Sequence, residues 1–222
     1  MSDEQPEAAP KAEDLPQVIP LFPLDGALLL PHASRPLNIF EPRYLNMLDD
    51  VMAAERIVGM VQTAPGGTPE RPFLAHVGCA GRVTSFGETP DGRYLISLTG
   101  LCRFHLETEI SSPTPYRQAR VDYSAYVQDL EPRPTDTGAD RQRLLDALTP
   151  FLEHRSLRID WGQLYEAPIA QLVDSLAMAL PFDHPELQAL LEAPTLDARR
   201  QTLITLLEID GAEGGDEHTA RQ

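Results

Sequence analysis

Apolar and polar residues alternate over much of the first 127 positions, which is the pattern of half-buried β-strands. In residues 102–107 every second side chain is apolar, and Arg103 belongs to the polar set that is predicted to face solvent. A turn at Pro90–Arg93 joins a strand over 94–98 to one over Val77–Phe86, so a hairpin is predicted. Gly100 predicts a bulge or tight bend, as in a sheet that curls toward a barrel.

Helical spacing of apolar residues occurs once in the first half of the chain and throughout the second half. Pro42 stands at a first-turn position before an apolar stripe, which predicts one helix among the strands. Pro150 falls inside the first of the later helices, where proline favours a kink. Asp183 and Glu186 form a capping-box pattern, and Thr195 is the predicted N-cap of the last helix.

Composition divides the chain into five segments. Residues 1–16 and 211–222 offer almost nothing to a core and are predicted to be disordered tails. A β-rich subdomain is predicted over 17–127, a polar, proline-containing linker over 128–139, and a helical subdomain over 140–210. The predicted fold class is α+β, with the strands first and a helical bundle after them.

Charge is distributed unevenly along the chain, whose formal net charge is −16. Residues 17–120 contain ten acidic residues and nine arginines, whereas residues 121–210 contain sixteen acidic residues and seven arginines. Because an acidic surface repels phosphates and anionic lipid, binding to nucleic acid or to a membrane is disfavoured. No run of eighteen apolar residues exists, so we expect no membrane span. The amino terminus is acidic rather than basic and then apolar, so we expect no secretory signal and a cytoplasmic location.

The sequence lacks the motifs of an ATPase or a peptidase. The only lysine, Lys11, lies in a predicted tail, which excludes a Walker-type phosphate-binding loop and a Ser-Lys dyad. The six histidines show no metal-ligand spacing, and no Gly-x-Ser-x-Gly segment occurs. We therefore predict no cofactor, no metal and no enzymatic activity. A small hydrolase whose catalytic groups are brought together only by the fold is the remaining enzymatic alternative.

Two cysteines, Cys79 and Cys102, lie in separate strand-like segments with apolar neighbours. The pattern predicts buried free thiols in a reducing compartment. A disulfide or redox pair is the alternative, although no Cys-x-x-Cys spacing supports it.

Several short segments form an ordered series along the chain. They are Pro20–Leu24, Pro31, Pro36–Tyr44, Val77–Val83, Asp91–Arg93, Gly100–Phe104 and Leu190–Glu192. Together, over about Gln17–Ile209, they resemble the amino-terminal substrate-binding domain of the Lon proteases. The resemblance implies a PUA-like six-stranded pseudo-barrel followed by a helical bundle. The chain ends where that family continues into its ATPase and peptidase, so a stand-alone bacterial domain is expected.

The resemblance implies a non-catalytic protein that binds exposed apolar segments of unfolded or tagged polypeptides. A role as a quality-control adaptor, with a separate ATP-dependent protease as a further partner, is compatible with it. RNA binding is the alternative, because the PUA-like fold elsewhere binds structured RNA. That function requires dispersed arginines to converge on one face. They are Arg82, Arg93, Arg103, Arg117 and Arg120.

Seven residues are candidates for contacting a bound peptide. They are Leu28, Leu29, Leu30, Phe40, Glu41, Arg43 and Tyr44. Three successive leucines cannot all face one side of a strand, so they serve either as contact surface or as barrel core. Glu41 has two interpretations as well: it caps the helix or pairs with an arginine, or it forms a charged rim beside a peptide groove.

Overall fold

The computed structural model describes residues 11–133 and 141–219, with side chains of the last helix described as far as residue 212. The chain forms two compact units, Met1–Pro132 and Arg133–Gln222. Residues 1–10 of the first predicted tail, 134–139 of the predicted linker and 220–222 of the second predicted tail lie outside the described residues.

The first unit is built on a six-stranded sheet and a two-stranded hairpin. Its strands are β1 Val18–Pro23, β2 Ser34–Ile39, β3 Ile57–Val61, β4 Thr63–Thr68, β5 Arg71–Leu74, β6 Val77–Glu88, β7 Tyr94–Ile110 and β8 Gln118–Asp122. The order in the large sheet is β2-β7-β6-β3-β1-β8, and β8 pairs again with β7, so the sheet closes on itself. The predicted α+β class with a curled sheet of six strands is confirmed.

Strand β7 is a single strand of 17 residues where the sequence suggests two. Its register against β6 shifts between the pairs Ala80–Cys102 and Gly81–Gly100, so a bulge lies next to Gly100 as predicted. A Cβ atom at Gly100 would lie 2.1 Å from the carbonyl oxygen of Leu30. This close approach of two backbones explains why the position requires glycine.

Arg103 is buried, with 2% of the residue exposed, whereas strand alternation predicts it on the solvent face. The prediction is wrong because a 3₁₀ helix, Ser124–Leu130, covers that face of β7. Asp129 of this helix accepts hydrogen bonds from the backbone N of Arg103 at 3.0 Å and from Nε and Nη2 at 2.8 Å each. The ring of Tyr126 lies 4.5 Å from the guanidinium carbon.

The described residues form six α-helices. They are α1 Pro42–Met52 in the first unit and, in the second, α2 Arg141–His154, α3 Trp161–Glu166, α4 Ile169–Ala179, α5 His184–Glu192 and α6 Leu196–Thr219. The capping box of α5 is confirmed by bonds from Glu186 N to Asp183 Oδ1 at 3.0 Å and from Asp183 N to Glu186 Oε2 at 2.8 Å. Thr195 Oγ1 accepts from Ala198 N at 3.1 Å and caps α6 as predicted.

Both predicted tails contain ordered structure next to the folded units. In the first, a 3₁₀ turn spans Ala12–Asp14, and Leu15 is buried because it is apolar enough to join the core. Tyr123 Oη donates to the carbonyl oxygen of Pro16 at 3.0 Å and holds this segment. In the second, α6 continues to Thr219. Among the described residues, no helix combines the length and the apolar character needed to cross a membrane.

Candidate functional site

The run Leu28–Leu30 lies in the connection between β1 and β2, and all three residues are at most 2% exposed. A Cβ atom at Gly81 would lie 2.7 Å from Leu29 Cδ2, which shows how closely that leucine packs against β6. The geometry agrees with the interpretation as barrel core. In this conformation the three leucines offer a partner almost no surface, so they do not contribute to the site described below.

The segment Phe40–Tyr44 forms the beginning of α1. Phe40 is 63% exposed and precedes Glu41, the N-cap residue. The Glu41 side chain makes no capping hydrogen bond and instead accepts from Arg43 Nε at 2.9 Å. Pro42 occupies the first turn, as predicted. Of the two structural roles expected for Glu41, the arginine pair is present and the side-chain cap is not.

Tyr44 is held rigidly on the buried face of α1. Only 6% of the residue is exposed, and its ring meets that of Phe22 edge to face with centroids 4.5 Å apart. The guanidinium carbon of Arg43 lies 4.6 Å from the centre of the Tyr44 ring. The ring is therefore fixed by contacts on two sides.

An open cleft of about 360 Å³ lies beside this helix start and is called the α1 cleft here. It is formed by the first turn of α1, the tip of the β4–β5 hairpin, and the connection from β7 to β8. The lining residues are Pro23, Arg43, Tyr44, Glu70, Arg71, Glu109, Ile110, Ser111, Ser112, Thr114, Pro115, Tyr116 and Arg117. Two candidate residues, Arg43 and Tyr44, thus share one concave surface.

Glu109 is bound by two arginines in the α1 cleft. Arg117 donates from Nε to Glu109 Oε2 at 2.8 Å, and Arg71 donates from Nη2 to the same oxygen at 2.9 Å. Arg117 also donates to the carbonyl oxygen of Pro72 at 2.7 Å. The hydrogen bond from Arg117 is the main cause that lowers the pKa of Glu109 below its ordinary 4.5. Glu109 is therefore ionised at neutral pH, with its charge already paired.

Two tyrosines of the cleft remain protonated at neutral pH. Burial, together with a 2.6 Å hydrogen bond from its hydroxyl to Asp50 Oδ2, raises the pKa of Tyr116 to about 12. Burial also raises the pKa of Tyr44 above its ordinary value. Within the described residues, the hydroxyl of Tyr44 has no hydrogen-bond partner. The hydroxyl keeps some accessible surface, so solvent can accept its hydrogen bond.

The residues Arg71, Glu109 and Tyr116 were not among the sequence candidates. Arg71 begins β5, Glu109 lies near the end of β7, and Tyr116 lies in the connection to β8. Neither periodicity nor a short motif marks such residues before the fold brings them together. Arg117 appears in the sequence analysis only as one of the dispersed arginines. The side of the cleft opposite α1 could therefore be identified only from the three-dimensional structure.

Three of the five arginines considered for RNA binding are paired with carboxylates. Arg93 pairs with Asp91, Arg103 with Asp129 and Arg117 with Glu109. Because three of the five already have a carboxylate partner, they offer little unpaired charge to a phosphate backbone.

Both cysteines are buried free thiols, as predicted. Cys102 Sγ donates to the carbonyl oxygen of Tyr126 at 3.2 Å. Burial raises the pKa of Cys102 to about 12, so at neutral pH it is a thiol rather than a reactive thiolate. Among the described residues, no group of three or more His, Cys, Asp or Glu side chains is arranged to hold a metal ion.

Comparison with known proteins gives one family. Residues 18–208 match the family model of the ATP-dependent protease La (LON) substrate-binding domain. Among solved structures, a Lon N-terminal domain protein from Xanthomonas campestris superposes with a TM-score of 0.61 at 23% identity. This match covers 85% of the chain and 97% of that structure. The N-terminal domain of a Mycobacterium avium complex Lon protease gives a TM-score of 0.59 at 15% identity. This match covers 86% of the chain and 97% of that structure.

Curated relatives match the chain over only part of their own length. A Lon protease of Syntrophus aciditrophicus is 26% identical over 198 residues, which are 84% of this chain and 24% of that protein. Lon protease 2 of Myxococcus xanthus is 25% identical over 201 residues, which are 88% of this chain and 24% of that protein. The chain therefore spans about a quarter of the length of these relatives.

Proposed function

Because the chain belongs to the Lon substrate-binding domain family, we propose that it is a non-catalytic module that binds exposed apolar segments of other polypeptides. The observation that carries this proposal is the exposed ring of Phe40 at the start of α1, one turn from residues that line an open cleft. Burying such a ring against a leucine or phenylalanine of a partner removes apolar surface from water, which favours association.

The α1 cleft suits binding better than catalysis. A general base needs a free, suitably basic group, and Glu109 is paired with two arginines that keep it ionised and occupied. The tyrosines Tyr44 and Tyr116 hold their protons at neutral pH, because burial is the main cause that raises both pKa values. The cleft therefore supplies hydrogen-bond donors and a fixed shape.

The partners follow from this assignment. Unfolded or tagged polypeptides expose the apolar side chains that folded proteins bury, so they are the substrate class that the site would select. We infer a role as an adaptor that passes such chains to a separate ATP-dependent protease. The free thiols Cys79 and Cys102 agree with a reducing compartment such as the bacterial cytoplasm.

An equilibrium binding measurement tests the proposal. A fluorescently labelled model protein is offered in a permanently unfolded and in a native form, at low and high salt, with a structured RNA as comparator. We expect the unfolded form to bind, the native form to fail, and salt to have little effect, because apolar contacts are not screened. Binding of the RNA that disappears at high salt, or equal binding of both protein forms, would contradict the proposal.

A further inference from the structure

Strand β2 is the terminal strand of the six-stranded sheet and pairs with β7 on one side. Among the described residues, no strand pairs with its other side. Three residues of β2 are exposed: Ser34, Pro36 and Asn38. The outer side of β2, called the β2 edge here, is therefore open to a further strand.

The pairing with β7 determines which backbone groups of β2 point toward β7. Gly100 N donates to the carbonyl oxygen of Ala33 at 2.9 Å, one step before the first pair of the β2–β7 ladder. Hydrogen-bonded and non-hydrogen-bonded pairs alternate along an antiparallel ladder. The residues of β2 that bond to β7 are therefore Arg35, Leu37 and Ile39.

The pairing on the other side of β7 leads to the same assignment. Thr89 N donates to the carbonyl oxygen of Arg93 at 2.9 Å, next to the last pair of the β6–β7 ladder. By the same alternation, Leu95 and Ser97 bond to β6. The residues of β7 between and beside them are thus left to bond to β2, as the first ladder requires.

The remaining residues of β2 direct their backbone groups to the β2 edge. Ser34 and Asn38 each present an N–H and a C=O group there, and Pro36 presents a C=O group alone because proline has no N–H. Within the part of the chain that the structure describes, these backbone groups have no hydrogen-bond partner. Proline is compatible with this position because its missing N–H costs no bond to β7.

The spacing of these groups identifies the kind of molecule that fits them. Donors and acceptors that recur at every second residue match the backbone of an extended polypeptide, which has the same repeat. A second copy of β2 fits less well. Antiparallel pairing of two copies centred on Pro36 would place two prolines opposite each other, so both central donors would be missing. Two copies with a net charge of −16 each also repel one another.

From these observations we infer that the β2 edge binds an extended segment of the captured polypeptide as an additional strand. The inference rests on the function proposed above and adds the binding mode to it. The backbone of the segment pairs with Ser34, Pro36 and Asn38, and an apolar side chain of the same segment docks on Phe40, two residues beyond Asn38. Because every polypeptide has the same backbone, this pairing accepts many sequences, but it requires a segment whose backbone groups are unpaired.

A peptide with a modified backbone tests the pairing on the wild-type protein. One short peptide rich in leucine and phenylalanine is prepared with an ordinary backbone and with N-methyl groups on its central residues. N-methylation removes the N–H donors and retains every side chain. We expect the methylated form to bind at least about tenfold more weakly, because the carbonyl groups of Ser34, Pro36 and Asn38 lose their donors. Fluorescence anisotropy of the labelled peptides measures both affinities.

Substitutions at Asn38 locate the pairing on β2. Asn38→Pro removes an N–H group from the β2 edge, whereas the matched control Asn38→Ala removes only the side chain and keeps that group. We expect Asn38→Pro to weaken binding of the ordinary peptide about fivefold and Asn38→Ala to stay within about twofold of the wild type. The N–H of Asn38 makes no bond to β7, so Asn38→Pro should fold, which thermal melting checks.

Pro36→Ala is the opposite test, because it adds an N–H group to the β2 edge. We expect this variant to bind the ordinary peptide about fivefold more tightly than the wild type does. A gain in affinity does not arise from damage to the fold, so this variant decides the question even if Asn38→Pro fails to fold.

Three results would overturn the inference. If the wild-type protein binds both peptide forms equally well, strand addition is refuted while the proposed polypeptide-binding function stands. If methylation weakens binding but neither Asn38→Pro nor Pro36→Ala changes it, the strand is added elsewhere. If sedimentation shows a wild-type dimer that Asn38→Pro dissociates, the β2 edge pairs two copies instead. Failure to bind either peptide or any unfolded protein would refute the proposed function as well.

Discussion

Arg103 of β7 and Asp129 of the 3₁₀ helix Ser124–Leu130 form an ion pair whose side chains are only 2% and 8% exposed. Three hydrogen bonds join the two residues, one of them from the backbone of Arg103. The pair attaches the 3₁₀ helix to the middle of the longest strand, close to the bulge at Gly100. A buried charge of this kind is tolerated only while its partner is present.

We expect Asp129→Ala to destabilise the first unit by about 3–5 kcal/mol, because it leaves the guanidinium of Arg103 buried without its counter-charge. Chemical denaturation followed by circular dichroism measures the loss. Asp91→Ala removes an exposed partner of Arg93 and should cost much less, because water screens that pair. Similar losses of stability in the two variants would show that burial does not determine how much the Arg103–Asp129 pair contributes to the free energy of unfolding.

Gly100→Ala should destabilise the protein by more than about 2 kcal/mol, because the new Cβ atom would lie 2.1 Å from the carbonyl oxygen of Leu30 and a backbone must shift. Gly87→Ala in β6 is the matched control, since no atom lies within 4 Å of its Cβ position. Its unfolding free energy should stay within about 0.5 kcal/mol of the wild type. Equal stability of the two variants would contradict the close approach at Gly100.

Features that depend on a few neighbouring residues were predicted from the sequence. Pro42 at the start of α1, the capping box of Asp183 and Glu186, and Thr195 as an N-cap are each determined within one helical turn. The bulge at Gly100 was predicted for the same reason, because glycine inside a strand pattern marks a local departure from regular pairing.

Features that depend on distant residues were not predicted. Arg103 was assigned to solvent because alternation does not reveal the 3₁₀ helix that covers it, and its partner Asp129 is 26 positions away. The α1 cleft was not predicted for the same reason. Arg71 and Arg117 both contact Glu109 only because the β4–β5 hairpin lies next to the end of β7 in the folded chain. A run of apolar residues such as Leu28–Leu30 does not itself distinguish core from contact surface.

The pairing of Glu109 predicts a specific pH dependence. Arg117 lowers the folded-state pKa of Glu109 below 4.5, so its contribution to stability is complete above pH 4.5 and is lost as the pH falls through the lower, folded value. Glu109→Gln should therefore lose stability less steeply with acid than the wild type does. Denaturant midpoints recorded from neutral pH down to acid test this, and parallel pH profiles of the two proteins would contradict it.

Glu41→Ala should change the unfolding free energy by less than about 1 kcal/mol, because Glu41 and Arg43 are both nearly half exposed and the Glu41 side chain does not cap α1. Thermal and chemical denaturation measure this directly. A loss above about 2 kcal/mol would mean that the carboxylate does cap the helix, contrary to the geometry.

The most direct test of polypeptide binding is a comparison of Phe40→Ala with the wild type. We expect the affinity for an unfolded model protein to fall about tenfold or more, because truncating a central aromatic contact commonly costs that much, while the melting temperature is unchanged since Phe40 is 63% exposed. Leu95→Ala, at 49% exposure on β7, is the control and should bind as the wild type does. Undiminished binding by a folded Phe40→Ala protein would contradict the proposed site.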